Sequence, residues 1–167
     1  DAYLYVSENE GKDWKKIGKD LPNEPLNVVA EDPKDENILY VGSDNGLYVS
    51  FDKGEHFAAW NGNLPRVAVH DIAIQSRENE IVLGTHGRSI YIAKLDMVQA
   101  YNMEKEKDFF VWEIDKIKYN KNIGNKSFSY SEPAKQTVDI YFLDNKIENL
   151  TFYILNTQQK SVFTKEI

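Results

Sequence analysis

The chain has 167 residues, enough for one ordinary domain or for part of a larger protein. Hydrophobic residues make up 41% and charged residues 28%, a globular balance rather than a disordered one. A net charge of −7 argues against non-specific nucleic-acid binding, the lack of cysteine excludes disulfides and Cys-ligated zinc, and no apolar run approaches the roughly 18 residues of a membrane span.

With 10 Tyr, 8 Phe and 3 Trp, the composition leans toward strands. In chain order, Leu4-Tyr5-Val6 runs into the turn Ser7-Glu8-Asn9-Glu10-Gly11-Lys12-Asp13-Trp14. Lys15, Lys16 and Lys19 follow as a small basic cluster, read as solvated surface. Four strands are then predicted as an antiparallel meander: Asn27 to Glu31, Ile38 to Gly42, Gly46 to Ser50 and Phe57 to Trp60. Three more follow at Val69 to Gln75, Glu80 to Gly84 and Ser89 to Ala93, after which Lys94-Leu95-Asp96 leads into a different kind of segment. Asp108 to Tyr119, with Phe110, Trp112 and Ile114 alternating, reads as a strand. Lys121 to Lys135, with Gly124 and Pro133, reads as a polar linker. Thr137 to Leu143, Leu150 to Leu155 and Ser161 to Ile167 read as three closing strands.

The chain repeats itself. Ser50-Phe51-Asp52-Lys53-Gly54-Glu55-His56-Phe57 restates the first turn at an offset of 43, and Leu21-Pro22 returns as Leu64-Pro65. Val41 to Val49 returns once more as Leu83 to Ile92, with one extra residue in the turn. A period of roughly 40–50 residues made of short strands is the signature of β-propeller blades. Both turns resemble the Asp-box, S-x-D-x-G-x-x-W. Ser7, Asn9, Gly11 and Trp14 fill it in the first copy, and Ser50, Asp52, Gly54 and Phe57 in the second. The Asn or Asp side chain takes backbone N–H groups a few residues on, and Gly permits the positive φ. The aromatic ring is expected to pack into the blade. These residues are read as turn-makers, not catalysts.

On these boxes and on the run Gly84-Thr85-His86-Gly87-Arg88-Ser89-Ile90-Tyr91, the first 95 or so residues resemble the closing blades of Asp-box (BNR-repeat, sortilin-like) bacterial propeller proteins. Such proteins commonly carry a glycosyl hydrolase label. The resemblance implies an all-β fold: C-terminal propeller blades over 1–97, a connector with a strand and polar linker over 98–135, and the first strands of an Ig- or fibronectin-like sandwich over 136–167. It also implies a secreted, periplasmic or cell-surface setting.

In a propeller, the entry to a blade and the turn between its second and third strands share the face that usually carries ligands. Asp44, Asn45, His70, Asp71, His86 and Arg88 are therefore the candidate ligand residues. Arg88 would hold an anionic or carbonyl group, and His70 or His86 with Asp71 could move protons. The structural alternative is a ring-closing turn, with His86 bonded to neighbouring backbone and Arg88 to an acidic partner.

No carboxylate pair stands out for glycoside hydrolysis, and Arg66, Arg77 and Arg88 are too few for a sialidase site. His56, His70 and His86 lack zinc-ligand spacing. Asn125-Lys126-Ser127 and Asn149-Leu150-Thr151 match a glycosylation pattern only at the level of chance. Trp60 and Trp112 are expected to pack rather than to stack on sugar. The expectation is a non-catalytic binding or scaffold module for a glycan or peptide, without cofactor or metal. The alternatives are a fragment of a BNR-repeat glycoside hydrolase, or a sortilin-like peptide-binding propeller. Exposed sheet faces are expected to pack against further blades or other copies of the chain.

Overall fold

The computed structural model describes residues 2–60, 64–112, 140–144, 149–155 and 157–166. The chain divides into two compact units, Asp1–Met103 and Glu104–Ile167. All sheets are antiparallel and one short helix is present among the described residues, so the fold class is all-β.

The first unit opens with a hairpin of β1 (Leu4–Val6) and β2 (Lys15–Ile17), joined through the Asp-box-like turn Ser7 to Trp14, called the first box below. A four-stranded meander follows: β3 (Leu26–Glu31), β4 (Leu39–Ser43), β5 (Gly46–Ser50) and β6 (Ala58–Ala59). The second Asp-box joins β5 to β6. A three-stranded meander of β7 (Val69–Gln75), β8 (Glu80–Thr85) and β9 (Ile90–Lys94) completes the set. These bounds lie within a residue or two of the expected ones.

The two meanders repeat each other in register. Val28 pairs with Gly42 and Gly42 with Leu47; one repeat on, Asp71 pairs with Gly84 and Gly84 with Ile90. Each inner strand is interrupted by a bulge at the same place, at Asn27 in β3 and at His70 in β7. Side chains alternate between faces along a strand, so paired residues share a face. One face of the first meander therefore carries Val28, Tyr40, Leu47 and Val49. It packs on the face of the second that carries Ile72, Ile81, Leu83 and Tyr91. Tyr40 and Ile81 are fully buried there, and each fully buried aliphatic contributes roughly 1.5–3 kcal/mol.

Gly42 is the point of closest approach. A Cβ there would lie 2.8 Å from both the Val69 Cγ1 and the Val69 carbonyl oxygen, so only glycine lets β7 come this near.

After β9 the chain forms α1 (Asp96–Glu104), which the sequence reading does not anticipate. The Leu95 N–H donates to the Asn79 carbonyl (2.9 Å), as the Lys53 N–H of the second Asp-box donates to the Asn37 carbonyl (2.9 Å). The helix thus begins where a third box would. It docks through Val98, which packs on the core, through the Tyr101 ring, 4.9 Å from that of Phe51, and through polar groups. Gln99 Nε2 donates to both Asp32 carboxylate oxygens (2.9 Å each), and Asn79 Nδ2 donates to Gln99 Oε1 (2.9 Å). Asp32 also accepts from the Tyr40 hydroxyl (2.8 Å) and from the N–H groups of Lys34 and Asp35. Burial, then this hydrogen bond, pushes the Tyr40 hydroxyl far up from its ordinary range. Asp32, Asn79 and Gln99 are all buried, and buried polar groups are tolerated when bonded this fully.

The second unit holds two antiparallel strand pairs among the described residues. β10 (Phe109–Val111) pairs with β11 (Phe142–Asp144), and β12 (Thr151–Leu155) with β13 (Ser161–Glu166). Phe142 meets Phe109 at 6.4 Å and Phe152 at 5.8 Å between ring centroids. β13 is exposed along its whole length. The linker expected over Lys121 to Lys135 lies outside the described residues, as do the later part of the strand expected from Asp108 and the start of that expected from Thr137. The boundary between units falls after Met103, so all of α1 but its last residue goes with the two meanders.

Candidate functional site

The two Asp-boxes fold by the same hydrogen bonds. In the second, the Ser50 hydroxyl donates to Asp52 Oδ1 (2.8 Å) and accepts from the Gly54 N–H (2.8 Å), and Asp52 Oδ1 accepts from the His56 N–H (2.9 Å). In the first, Ser7 donates to Asn9 Oδ1 (3.1 Å) and accepts from Gly11 (2.7 Å), and Asn9 accepts from Asp13 (2.9 Å). Glu10 and Lys53 both take φ near 59°, followed by Gly11 at 82° and Gly54 at 86°. The polar side chains of Ser7, Asn9, Ser50 and Asp52 are thus engaged within their own turns.

One expectation about the boxes fails. Trp14 does not pack into a sheet: it is 64% exposed, lies over Gly11 and donates from Nε1 to the Gly11 carbonyl (3.0 Å). Phe57 is half-buried, against the site of Gly18. Trp60 packs on the core, and Trp112 is half-buried.

His56 adds a contact to the second box, its Nδ1 lying 2.7 Å from Asp52 Oδ2. That hydrogen bond and the Asp52 charge raise the His56 pKa above the ordinary 6.5. Burial works to raise Asp52, but bonds from the His56 N–H, the His56 ring and Ser50 outweigh it and hold the carboxyl below the ordinary 3.8.

The candidate ligand residues lie at the opposite end of the meanders, where the bulges meet the β4–β5 and β8–β9 turns. The same main-chain bond closes both corners: Asp44 N–H to the Pro25 carbonyl (3.2 Å), and His86 N–H to the Ala68 carbonyl (2.9 Å). Bulge and turn side chains then meet. Asn27 Nδ2 donates to Asp44 Oδ1 (3.0 Å) and reaches the Val69 carbonyl of the next meander (3.2 Å). At the corresponding corner the His70 and His86 rings face each other, 5.4 Å between centroids. Both are exposed.

His86 thus touches neighbouring backbone through its main chain, not its ring. Asp71 is exposed and accepts from the Ile72 N–H (2.9 Å). Arg88 is exposed, and among the described residues no hydrogen bond or ion pair holds it. No acidic partner for it lies among the described residues.

Asn45 belongs to a second cluster, centred on Glu24. The Glu24 carboxylate accepts from the Ser43 hydroxyl (2.5 Å), from Asn45 Nδ2 and from the Tyr48 hydroxyl (3.4 Å). Arg66 Nε donates to Asn45 Oδ1 (3.2 Å). Burial, then the Glu24 charge, pushes the Tyr48 hydroxyl up. Glu24, Asn27, Tyr48 and Arg66 are rim residues that sequence reasoning missed. Their partners lie 17 to 42 positions away, where no local pattern points to them. A hollow of about 420 Å³ lies elsewhere, along Lys15, Lys16, Lys19 and the turn at Gly54–His56. Lys15 stands 3.9 Å from Glu55 across it, as expected of solvated surface charge.

Among the described residues no group of three His, Cys, Asp or Glu side chains is placed to hold a metal, and no helix is long and apolar enough to cross a membrane. No family model, no curated protein and no solved structure matches the chain.

Proposed function

We propose that the chain is a recognition and scaffold module of an extracytoplasmic protein, built of consecutive propeller blades. It takes a glycan or peptide at the rim where the strand bulges meet the hairpin turns. The observation that carries this reading is the His70–His86 corner, two exposed rings 5.4 Å apart, with an exposed Arg88 in the same turn as His86 that has no partner among the described residues. A guanidinium without a partner suits a carboxylate or carbonyl, and the imidazoles add hydrogen-bonding groups. The blade reading is supported by the matched hydrogen bonds of the two boxes, by the matched bulges and by the face-to-face packing of the meanders.

Recognition without hydrolysis is the better fit to the rim. A glycosidase needs two carboxylates facing one gap. Here Asp71 accepts from the adjoining backbone N–H, Asp44 from Asn27, and Glu24 from Ser43 and Asn45.

The test is a glycan array, a peptide library and a chromogenic-glycoside screen, run on the chain and on His86→Ala and Arg88→Ala. The expected outcome is binding without turnover, weakened about tenfold or more in Arg88→Ala for loss of a charge-assisted hydrogen bond, with circular dichroism unchanged. Turnover abolished by either substitution would replace the reading with a hydrolase. Loss of folding in both variants would make the turn purely architectural.

A further inference from the structure

The rims of the two meanders carry matching donors, but only the first carries an acceptor for them. Main-chain bonds fix the correspondence: Asp44 to Pro25 in the first meander, His86 to Ala68 in the second. The Ser43 hydroxyl lies 3.3 Å from the Gly46 carbonyl oxygen, as the Thr85 hydroxyl lies 2.5 Å from that of Ser89. Asn45, just before Gly46, therefore corresponds to Arg88, just before Ser89. Tyr48, paired with Val41, corresponds to Tyr91, paired with Leu83.

In the first meander Ser43, Asn45 and Tyr48 all donate to the Glu24 carboxylate. Glu24 directly precedes Pro25. The residue that directly precedes Ala68 is Val67, buried and without a polar atom in its side chain. The second meander thus keeps the hydroxyl and the tyrosine, exchanges the amide for a guanidinium, and lacks the acid. The exchange is complementary, since a neutral amide stands beside the built-in carboxylate and a positive charge stands where there is none. Arg88 and the Tyr91 hydroxyl have no hydrogen-bond partner among the described residues. Tyr91 lies on the side of the second meander that packs on the first. The vacancy therefore comes from the residue at position 67, within the described chain, and not from a bare sheet face.

We infer that the second meander takes from a ligand the carboxylate that the first supplies to itself, with Arg88 and the Tyr91 hydroxyl as donors, and that the ligand is a peptide bearing a glutamate. The inference rests on the recognition reading above and names the group recognised. A peptide is favoured because the template is a glutamyl side chain, carried on the irregular stretch Asn23-Glu24-Pro25 that leads into β3. A guanidinium binds a carboxylate through charge-assisted hydrogen bonds, which an amide side chain on the ligand cannot offer in return.

Two-dimensional NMR titration of the full chain tests this with three probes: a capped Asn-Glu-Pro peptide, its Asn-Gln-Pro counterpart and a galacturonate oligomer. The glutamate peptide is expected to bind with a dissociation constant of about 1 mM, shifting resonances over 85–91, and the glutamine peptide about tenfold more weakly. Arg88→Gln is expected to weaken the glutamate peptide about tenfold and Tyr91→Phe about threefold. Arg77→Gln, which removes an exposed arginine paired with Glu78, is expected to bind like the wild type. Val67→Glu restores a built-in carboxylate and is expected to block the peptide; if that buried substitution unfolds the chain, Arg88→Gln decides. Equal binding of the two peptides, or binding that survives Arg88→Gln, overturns the inference. Tighter binding of the galacturonate oligomer overturns the choice of a peptide. Failure of both acidic probes up to about 10 mM, with neutral glycans or peptides still captured by the chain, overturns the carboxylate and leaves rim recognition standing. Failure of acidic and neutral ligands alike defeats both readings.

Discussion

A comparison of Asn9 with Asp52 isolates what the charge adds to an Asp-box. Both side chains accept the same pair of bonds through Oδ1, so an amide folds the turn as well as a carboxylate does. The charge matters only for the ring at His56. Asp52→Asn is therefore expected to preserve the turn while lowering the His56 pKa, read by NMR titration of the imidazole. The linkage follows from the two directions. His56, raised, contributes stability that is whole below 6.5 and fades as pH rises through its higher folded value. Asp52, lowered, contributes above 3.8 and loses that as pH falls through its lower folded value. The pair supports the turn best between those limits, and thermal melts of the wild type against Asp52→Asn are expected to differ most there. The boxes were legible in the sequence because donor and acceptor lie two to four residues apart. The Glu24 cluster and the Asn27 bridge were not, because they exist only once distant strands are in register.

At the scale of elements, the decisive pair is Gly42 and Gly84, equivalent in the repeat but not in their surroundings. Gly42→Ala would drive a methyl into the Val69 side chain and carbonyl, and is expected to cost about 1–3 kcal/mol in equilibrium urea unfolding. Gly84→Ala meets only Asp71, at 3.3 Å, and is expected to change stability by no more than about 0.5–1 kcal/mol. Equal costs would mean that the meanders pack less closely than described. Strand positions were readable from alternation and from the turn residues between them. Helix α1 was not. Met97, Val98, Ala100 and Tyr101 share one side of the helix, but over only nine residues the 3.6 period does not stand out, and the segment is also held through Gln99 and Asn102 by acidic and amide groups on distant loops.

Among the described residues of the whole molecule, the buried hydrophobic side chains, from Ile17 to Leu95, all lie in the first unit. The strands of the second unit are half-buried or exposed where described. Since stability follows apolar burial, the second unit is expected to unfold at lower urea. Trp60 reports on the first unit and Trp112 on the second. Fluorescence melts are expected to show two transitions, the earlier missing in Trp112→Phe and the later diminished in Trp60→Phe. One coincident transition in all three proteins would contradict this. The all-β class and the repeat could be read from composition and a 43-residue offset. A functional partner could not, because the same rim can be assembled from unlike side chains, Asn27 with Asp44 in one meander and His70 with His86 in the next.

The hydrogen bond from Leu95 to the Asn79 carbonyl has a consequence for how such a protein can be altered. The meander offers the same carbonyl after its third strand whether an Asp-box or a helix comes next. Leu95 itself is fully buried in the core, and the helix after it bonds buried Asn79 and Asp32, so a segment grafted after residue 95 would have to keep Leu95 and supply partners for both groups.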